Sequence, residues 1–429
     1  MQRPALLIMA LTAALLAACS TVDSGRSQIE DQGIEESETT STAVEAAAGH
    51  SENDSVESAS PKKGRPAINP IGEVDLAQVP DLDTSTHNVP LEAIIFDTFR
   101  TNERAVALPR AAPALIRSLR DAIPPLYAPS FVSSAESDRW LGDEDIVLGY
   151  ANGEEAYAYP LKILNNHEMA SHSVNGKHIL ASLCPLCRSW IVYDRTLEGQ
   201  TVPLLFGNTS ALYESDMVMF DHQTGSYWNQ VSGEAIAGPL TGERLTILPA
   251  QMTTWGRWKA LCPDTLALSE DTGFGRPYRK DPFAGYGERL NSGGRFAFPV
   301  SEAALDIRLD PGAVVLGLEI NGESRAYPLE ALGSGVFRDR LGGSEIVLFT
   351  HEERASGAAF LPEIDGRSLT FFFRDGAIMD EETGSSWNLA GEALEGELDG
   401  QRLEQLPARS SFWFSLVANN PGIEIFEAP

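Results

Sequence analysis

One block of this sequence occurs twice, and the second copy lacks the cysteines of the first. Val147-Leu148-Gly149 through Tyr159-Pro160-Leu161 returns as Val315-Leu316-Gly317 through Tyr327-Pro328-Leu329. Further on, Phe220-Asp221-His222-Gln223-Thr224-Gly225-Ser226-Tyr227-Trp228 is matched by Met379-Asp380-Glu381-Glu382-Thr383-Gly384-Ser385-Ser386-Trp387. Leu248-Pro249-Ala250, Trp255 and Pro263 are matched by Leu406-Pro407-Ala408, Trp413 and Pro421. The period is far too long for a solenoid, so the duplication predicts two related domains packed together, residues 88–290 and 291–429.

Within each copy the apolar runs are short and separated by turn residues. Residues 146–150, 156–159, 178–183, 190–193 and 202–206 read as strands, with Asn152-Gly153, Asn175-Gly176 and Glu198-Gly199 as turns. Helical spacing is confined to residues 112–122, 161–169 and 255–261. The expected class is α+β, mainly β, with antiparallel sheets and a few short helices.

Whatever both copies keep is assigned to scaffold: the tryptophans, the Thr-Gly pairs and the Tyr-Pro pairs. What the first copy holds alone is Cys184-Pro185-Leu186-Cys187, together with His167-Glu168. Alignment puts Cys184 opposite His351 and Cys187 opposite Arg354. Three readings of the cysteine pair stay open.

A strand, a tight turn and a second strand would form a knuckle pointing two thiolates at one ion, zinc or copper, with His167 adding a nitrogen. With no second knuckle in the chain, further ligands would come from His167, His172, His178, His222 or Met219. Alternatively, Cys184 and Cys187 cycle between dithiol and disulfide. The following Ser189-Trp190-Ile191-Val192-Tyr193 looks like a strand, which argues against a thioredoxin arrangement with the pair at a helix N-terminus. The third reading is a fixed disulfide that staples the turn, whose tiny loop would add little stability. Cys262 has no evident partner and reads as a buried free thiol.

The chain opens with a basic residue, Arg3, and an apolar run over residues 5–18 that ends at Cys19. This reads as a signal peptide too short to span a bilayer comfortably, its end resembling a bacterial lipobox. Cys19 is then the lipidated first residue of the mature chain, and Ser20 points to the outer membrane. An ordinary secretory leader is the alternative. Residues 19–87 are polar and acidic, a disordered tether reaching roughly 45 Å. A formal net charge of -29 excludes nucleic acid as a partner, which needs a basic surface.

The run from His167-Glu168 through Cys184-Pro185-Leu186-Cys187, then Met219-Phe220-Asp221, Thr224-Gly225-Ser226, Trp228 and Gly233, resembles the bacterial domain-of-unknown-function family numbered 3179. The resemblance covers approximately residues 143–286, and the second copy looks like a degenerate member. It implies a domain but no reaction. Arg188 stands where the family favours a small residue such as glycine, and His222 where a basic residue is common. The leading expectation is a lipid-anchored envelope protein that binds a transition metal through Cys184, Cys187 and His167. A thiol redox protein and a noncatalytic binding or scaffold protein with a small-molecule or protein partner are the other two.

Overall fold

The computed structural model describes residues 74–100, 103–153, 155–352 and 356–428. The leader, Cys19, most of the tether and Arg354 lie outside them. The described chain is mainly β, with largely antiparallel sheets and short helices. No helix among the described residues is long and apolar enough to cross a membrane.

Asn-Gly pairs close the hairpins where the sequence places them. Asn175 and Gly176 both adopt positive φ, 46° and 77°, and join the strands Met169–Val174 and Lys177–Cys184. Asn321-Gly322 does the same between Val314–Ile320 and Glu323–Pro328, at 50° and 81°. This is the twist-matched two-residue turn, open only to residues that tolerate the left-handed region. Trp255–Leu261 forms the expected helix, capped by Thr254 Oγ1. Residues 202–206 differ: the strand begins at Phe206 and runs to Tyr213.

The two halves place equivalent strands in the same order. In the first half the order is Ala250–Thr254, Ile146–Asn152, Glu155–Pro160, Leu266–Leu268. In the second it is Ala408–Phe412, Val314–Ile320, Glu323–Pro328, Glu424–Ile425. The second set does not stop there. Ser410 pairs with Trp190, so the sheet continues into the first half through Ser189–Asp194, Lys177–Cys184 and Met169–Val174. The halves therefore share a sheet, and Cys184, Cys187, Leu316 and Phe412 belong to one apolar cluster.

The repeated Asp-x-x-Thr-Gly-Ser-x-Trp block is a turn built twice with the same contacts. Asp221 accepts from Thr224 N at 2.6 Å and Trp228 Nε1 at 3.0 Å; Asp380 accepts from Thr383 N at 2.6 Å and Trp387 Nε1 at 2.9 Å. Each tryptophan thus buries its ring while its N–H finds a carboxylate, which is what a buried indole requires.

Equivalent glycines make a testable contrast. A Cβ on Gly149 would lie 2.3 Å from the Trp258 ring, whereas one on Gly317 would meet the Leu416 methyls at 2.9 Å. A rigid indole cannot yield as a leucine rotamer can. Gly149→Ala is expected to cost about 1–3 kcal/mol by overpacking, and Gly317→Ala less. Urea unfolding of the two variants checks this, and equal midpoints would refute it.

The tether expectation needs correction at its end. From Leu76 the chain already packs on the body: Val79 is buried, and Arg120 donates to Val79 O at 3.0 Å and Pro80 O at 2.7 Å. Three apolar residues, Leu76, Val79 and Leu82, supply the burial that a polar composition over the whole segment concealed.

Candidate metal centre

Cys184 ends one strand and pairs with Ser189, which begins the next, so Pro185 to Arg188 form a four-residue loop. Arg188 closes that loop at φ 48°, in the left-handed region, which explains why a glycine suits this position. Both cysteines are buried and both are free thiols. The loop is held from the other half of the molecule by Phe412 N, which donates to Cys187 O at 2.8 Å.

The third member of the site was not among the sequence candidates. Asp216 begins the strand Asp216–Asp221, and its Oδ1 accepts from Cys187 Sγ at 2.7 Å. Its other oxygen, Oδ2, accepts from Val231 N at 2.9 Å. Donor atoms of Cys184, Cys187 and Asp216 all lie within 4.8 Å of one another, and all three residues are buried. Ser189 Oγ lies 3.1 Å from Cys187 Sγ and also bonds the Gln230 side-chain oxygen, while Gln230 Nε2 donates to Ser182 Oγ at 2.9 Å. The sulfur that faces Asp216 is thus fixed by a polar network and not by packing alone.

Asp216 exists here because the first half lengthens a hairpin. Asp216 pairs with Tyr213 across Glu214 and Ser215, both at positive φ. In the second half the matching hairpin ends at Arg374 paired with Ala377, three residues before Asp380, whereas Asp216 lies five before Asp221. The extension carries the carboxylate to the cysteine loop. A signal was present in the sequence: the interval from Cys184 to Asp221 is eight residues longer than that from His351 to Asp380.

Glu168 is the fourth acidic group. It caps the helix Leu161–His167 in the left-handed region, at φ 59°, with its backbone oxygen accepting from Leu183 N at 2.8 Å. Its buried carboxylate accepts from Asn208 Nδ2 at 2.5 Å. Burial pushes its pKa up to about 8, with the Asp216 charge adding to the rise. Burial likewise raises Asp216 to about 6 and lifts both thiols, Cys187 well above its ordinary value. Two thiols and two carboxylic acids thus share an interior in which burial disfavours every charge, and the Asp216 charge further raises Glu168 and both thiols while hydrogen bonds from the thiols partly offset the rise at Asp216.

His167 is placed elsewhere. It is fully buried, but Nδ1 contacts Pro124 O at 2.7 Å and Nε2 contacts Tyr278 OH at 2.6 Å, so both ring nitrogens are engaged outside the cysteine cluster. Its backbone neighbour Glu168 turns toward the cluster in its stead, because the left-handed cap reverses the chain between them. His172 meets Tyr159 OH at 2.6 Å and His178 meets Ser173 Oγ at 2.9 Å. His222 meets Tyr127 OH at 2.9 Å, and burial lowers its pKa to about 4, so it is neutral where a basic residue is usual. Met219 is buried in the main core. Cys262 is only half-buried, unlike the interior thiol expected.

The family described as "Protein of unknown function (DUF3179)" matches residues 120–422. The match spans both copies, where the sequence motifs alone pointed to the first. No curated protein and no solved structure matches the chain.

Proposed function

Because the chain belongs to the DUF3179 family, whose function is unknown, its chemistry has to be argued from its own residues, and we propose that it binds a divalent transition metal, zinc foremost, through Cys184, Cys187 and Asp216. The convergence of two sulfurs and a carboxylate oxygen within 4.8 Å, buried, carries this reading. Ionised together, these four groups would be costly to bury without a cation to compensate them. A bound divalent ion would reverse the local pKa logic and deprotonate the thiols. Two thiolates with one carboxylate suit tetrahedral zinc, while the oxygen ligand is a poor match for soft Cu(I). Glu168 stands close enough to influence the cluster electrostatically and serves to orient or balance it.

The competing reading is a dithiol–disulfide couple with Asp216 taking the Cys187 proton. Burial of both sulfurs disfavours it, since exchange requires a thiolate to reach a partner's disulfide. Elemental analysis of anaerobically purified protein should find about one metal per chain, lost in Cys184→Ser and in Asp216→Asn. A folded protein that takes up neither zinc nor cobalt on reconstitution would sink the reading. Rapid alkylation of both thiols that a mild oxidant abolishes reversibly would favour the couple.

We place this metal protein at the cell envelope, held to the outer membrane by a lipid on Cys19. The leader and the cysteine at its end support this. Cys19→Ser should move the protein from the membrane to the soluble fraction, and an unchanged distribution would count against the anchor.

A further inference from the structure

The cysteine site is sealed: Cys184 is 1% exposed and Cys187 0%. An ion or a thiol reagent enters only if some wall of the site moves. Three of the walls are strands tied into sheets, Lys177–Cys184, Ser189–Asp194 and Asp216–Asp221. A fourth is the helix Tyr286–Asn291. Its Tyr286 and Leu290 share the apolar cluster of the cysteines, and a Cβ on Gly287 would lie 2.7 Å from the Phe412 ring. The Tyr286 phenol is near enough to both cysteines that their charges add to the rise that burial imposes on its pKa.

The stretch after this helix, residues 292–301, is held differently. It contains no helix or strand, and among the described residues no backbone–backbone hydrogen bond involves residues 295–300. Its side chains alternate. Phe298 is buried and Phe296 and Val300 are half-buried, whereas Arg295, Ala297, Pro299 and Ser301 are exposed. Phe298 forms a small apolar cluster with Ile95, Ala107 and Leu212, and Leu186 of the cysteine loop packs against that cluster. Phe296 meets the Phe414 ring edge-on, with centroids 4.9 Å apart. The backbone is pinned at two points, and both pins belong to the site. Ala297 N donates to Tyr286 Oη at 3.0 Å, and Ser301 N donates to Glu214 Oε2 at 2.7 Å, in the turn that delivers Asp216. Gly293, at φ 79°, supplies a pivot, and an open hollow of about 510 Å³ flanks residues 294–300. A segment held by three side chains and two hydrogen bonds opens at lower cost than a strand in a sheet.

We infer that residues 292–301 are a strap whose opening admits metal ions or small thiol reagents to Cys184 and Cys187. As a gate for metal the strap rests on the metal reading above; as a cover over the thiols it stands without it. Lifting Phe298 uncovers Leu186 within the cysteine loop, and releasing Ser301 N frees the turn before Asp216, so one movement loosens the loop and the carboxylate together. The sheets stay intact.

Alkylation of the metal-free full chain with iodoacetamide, followed cysteine by cysteine through peptide mass spectrometry, tests the strap. Cys262 packs in a different apolar cluster and is the internal reference. Phe298→Ala should speed alkylation of Cys184 and Cys187 by about tenfold or more and leave Cys262 unchanged. Tyr286→Phe keeps the ring and removes only the acceptor for Ala297 N, for an increase of about two- to tenfold. It alone decides should Phe298→Ala not fold. The rates should be flat in dilute urea, because strap opening exposes little surface, whereas global unfolding would make all three cysteines react faster as urea rises. Parent-like rates in both variants, or Cys262 accelerating in step with the other two, would overturn the inference. Zinc transfer from the loaded chain to a coloured chelator should quicken in the same ratio as alkylation. A chain that takes up no zinc would defeat the metal reading and leave the alkylation rates to judge the strap.

Discussion

A chain ending at Leu290 is expected to bind no metal and to melt without cooperativity. The reason is the shared sheet. Ser410 pairs with Trp190 two residues beyond the cysteine loop, and Phe412 N holds Cys187 O at 2.8 Å. Phe412, Phe414, Leu316 and Leu318 lie in the same apolar cluster as Cys184 and Cys187. Exposing each large apolar side chain costs about 1.5–3 kcal/mol, and the partners left behind in the first half are exposed as well. A handful of such losses consumes the roughly 5–15 kcal/mol that holds an ordinary domain together. Circular dichroism melts and metal analysis of the shortened chain check this. A sharp transition with bound metal would show that the first copy is self-sufficient. Phe412→Ala separates packing from the backbone bond, because it keeps the N–H. It should cost about 3–5 kcal/mol while leaving the loop carbonyl partnered.

This interdependence bears on what the sequence could disclose. Hairpin turns were legible because Asn175-Gly176 and Asn321-Gly322 specify their own backbone geometry. The scaffold roles of Trp228 and Trp387 were legible because duplication repeats them along with Asp221 and Asp380. Subtracting one copy from the other isolated Cys184 and Cys187, and the structure keeps them together. It could not decide between His167 and its neighbour, because a single left-handed residue at Glu168 sends the two side chains to different places. Asp216 was hidden for another reason. A residue without a counterpart drops out of any comparison of matched blocks, and only the unequal interval marked where it lay. The sharing of a sheet was equally beyond reach, since one bridge between Ser410 and Trp190 leaves no periodic trace.

The metal-free and metal-loaded proteins should respond to pH in opposite directions. In the metal-free protein Asp216 rises from an ordinary 3.8 to about 6, and Glu168 from 4.5 to about 8. Each folded carboxyl therefore holds its proton in a range where the unfolded chain has lost it. Stability from these groups is fully present below the unfolded values and is lost as pH rises, between 3.8 and about 6 for Asp216 and between 4.5 and about 8 for Glu168. Metal binding runs the other way. Burial keeps both thiols protonated at neutral pH, so loading the site must release their protons. Apparent affinity should then climb by about two powers of ten per pH unit near neutrality, with a third proton, from Asp216, contributing below about 6. Removing the metal with a chelator should accordingly lower the melting temperature far more at pH 8 than at pH 5. Asp216→Asn should remove Asp216's share of the metal-free decline between 3.8 and about 6 and leave a decline due to Glu168, narrowed by loss of the Asp216 charge that helps raise it. Melting curves across this range, with and without zinc, decide the matter: parallel profiles would mean that no acidic ligand set loses protons to a metal here.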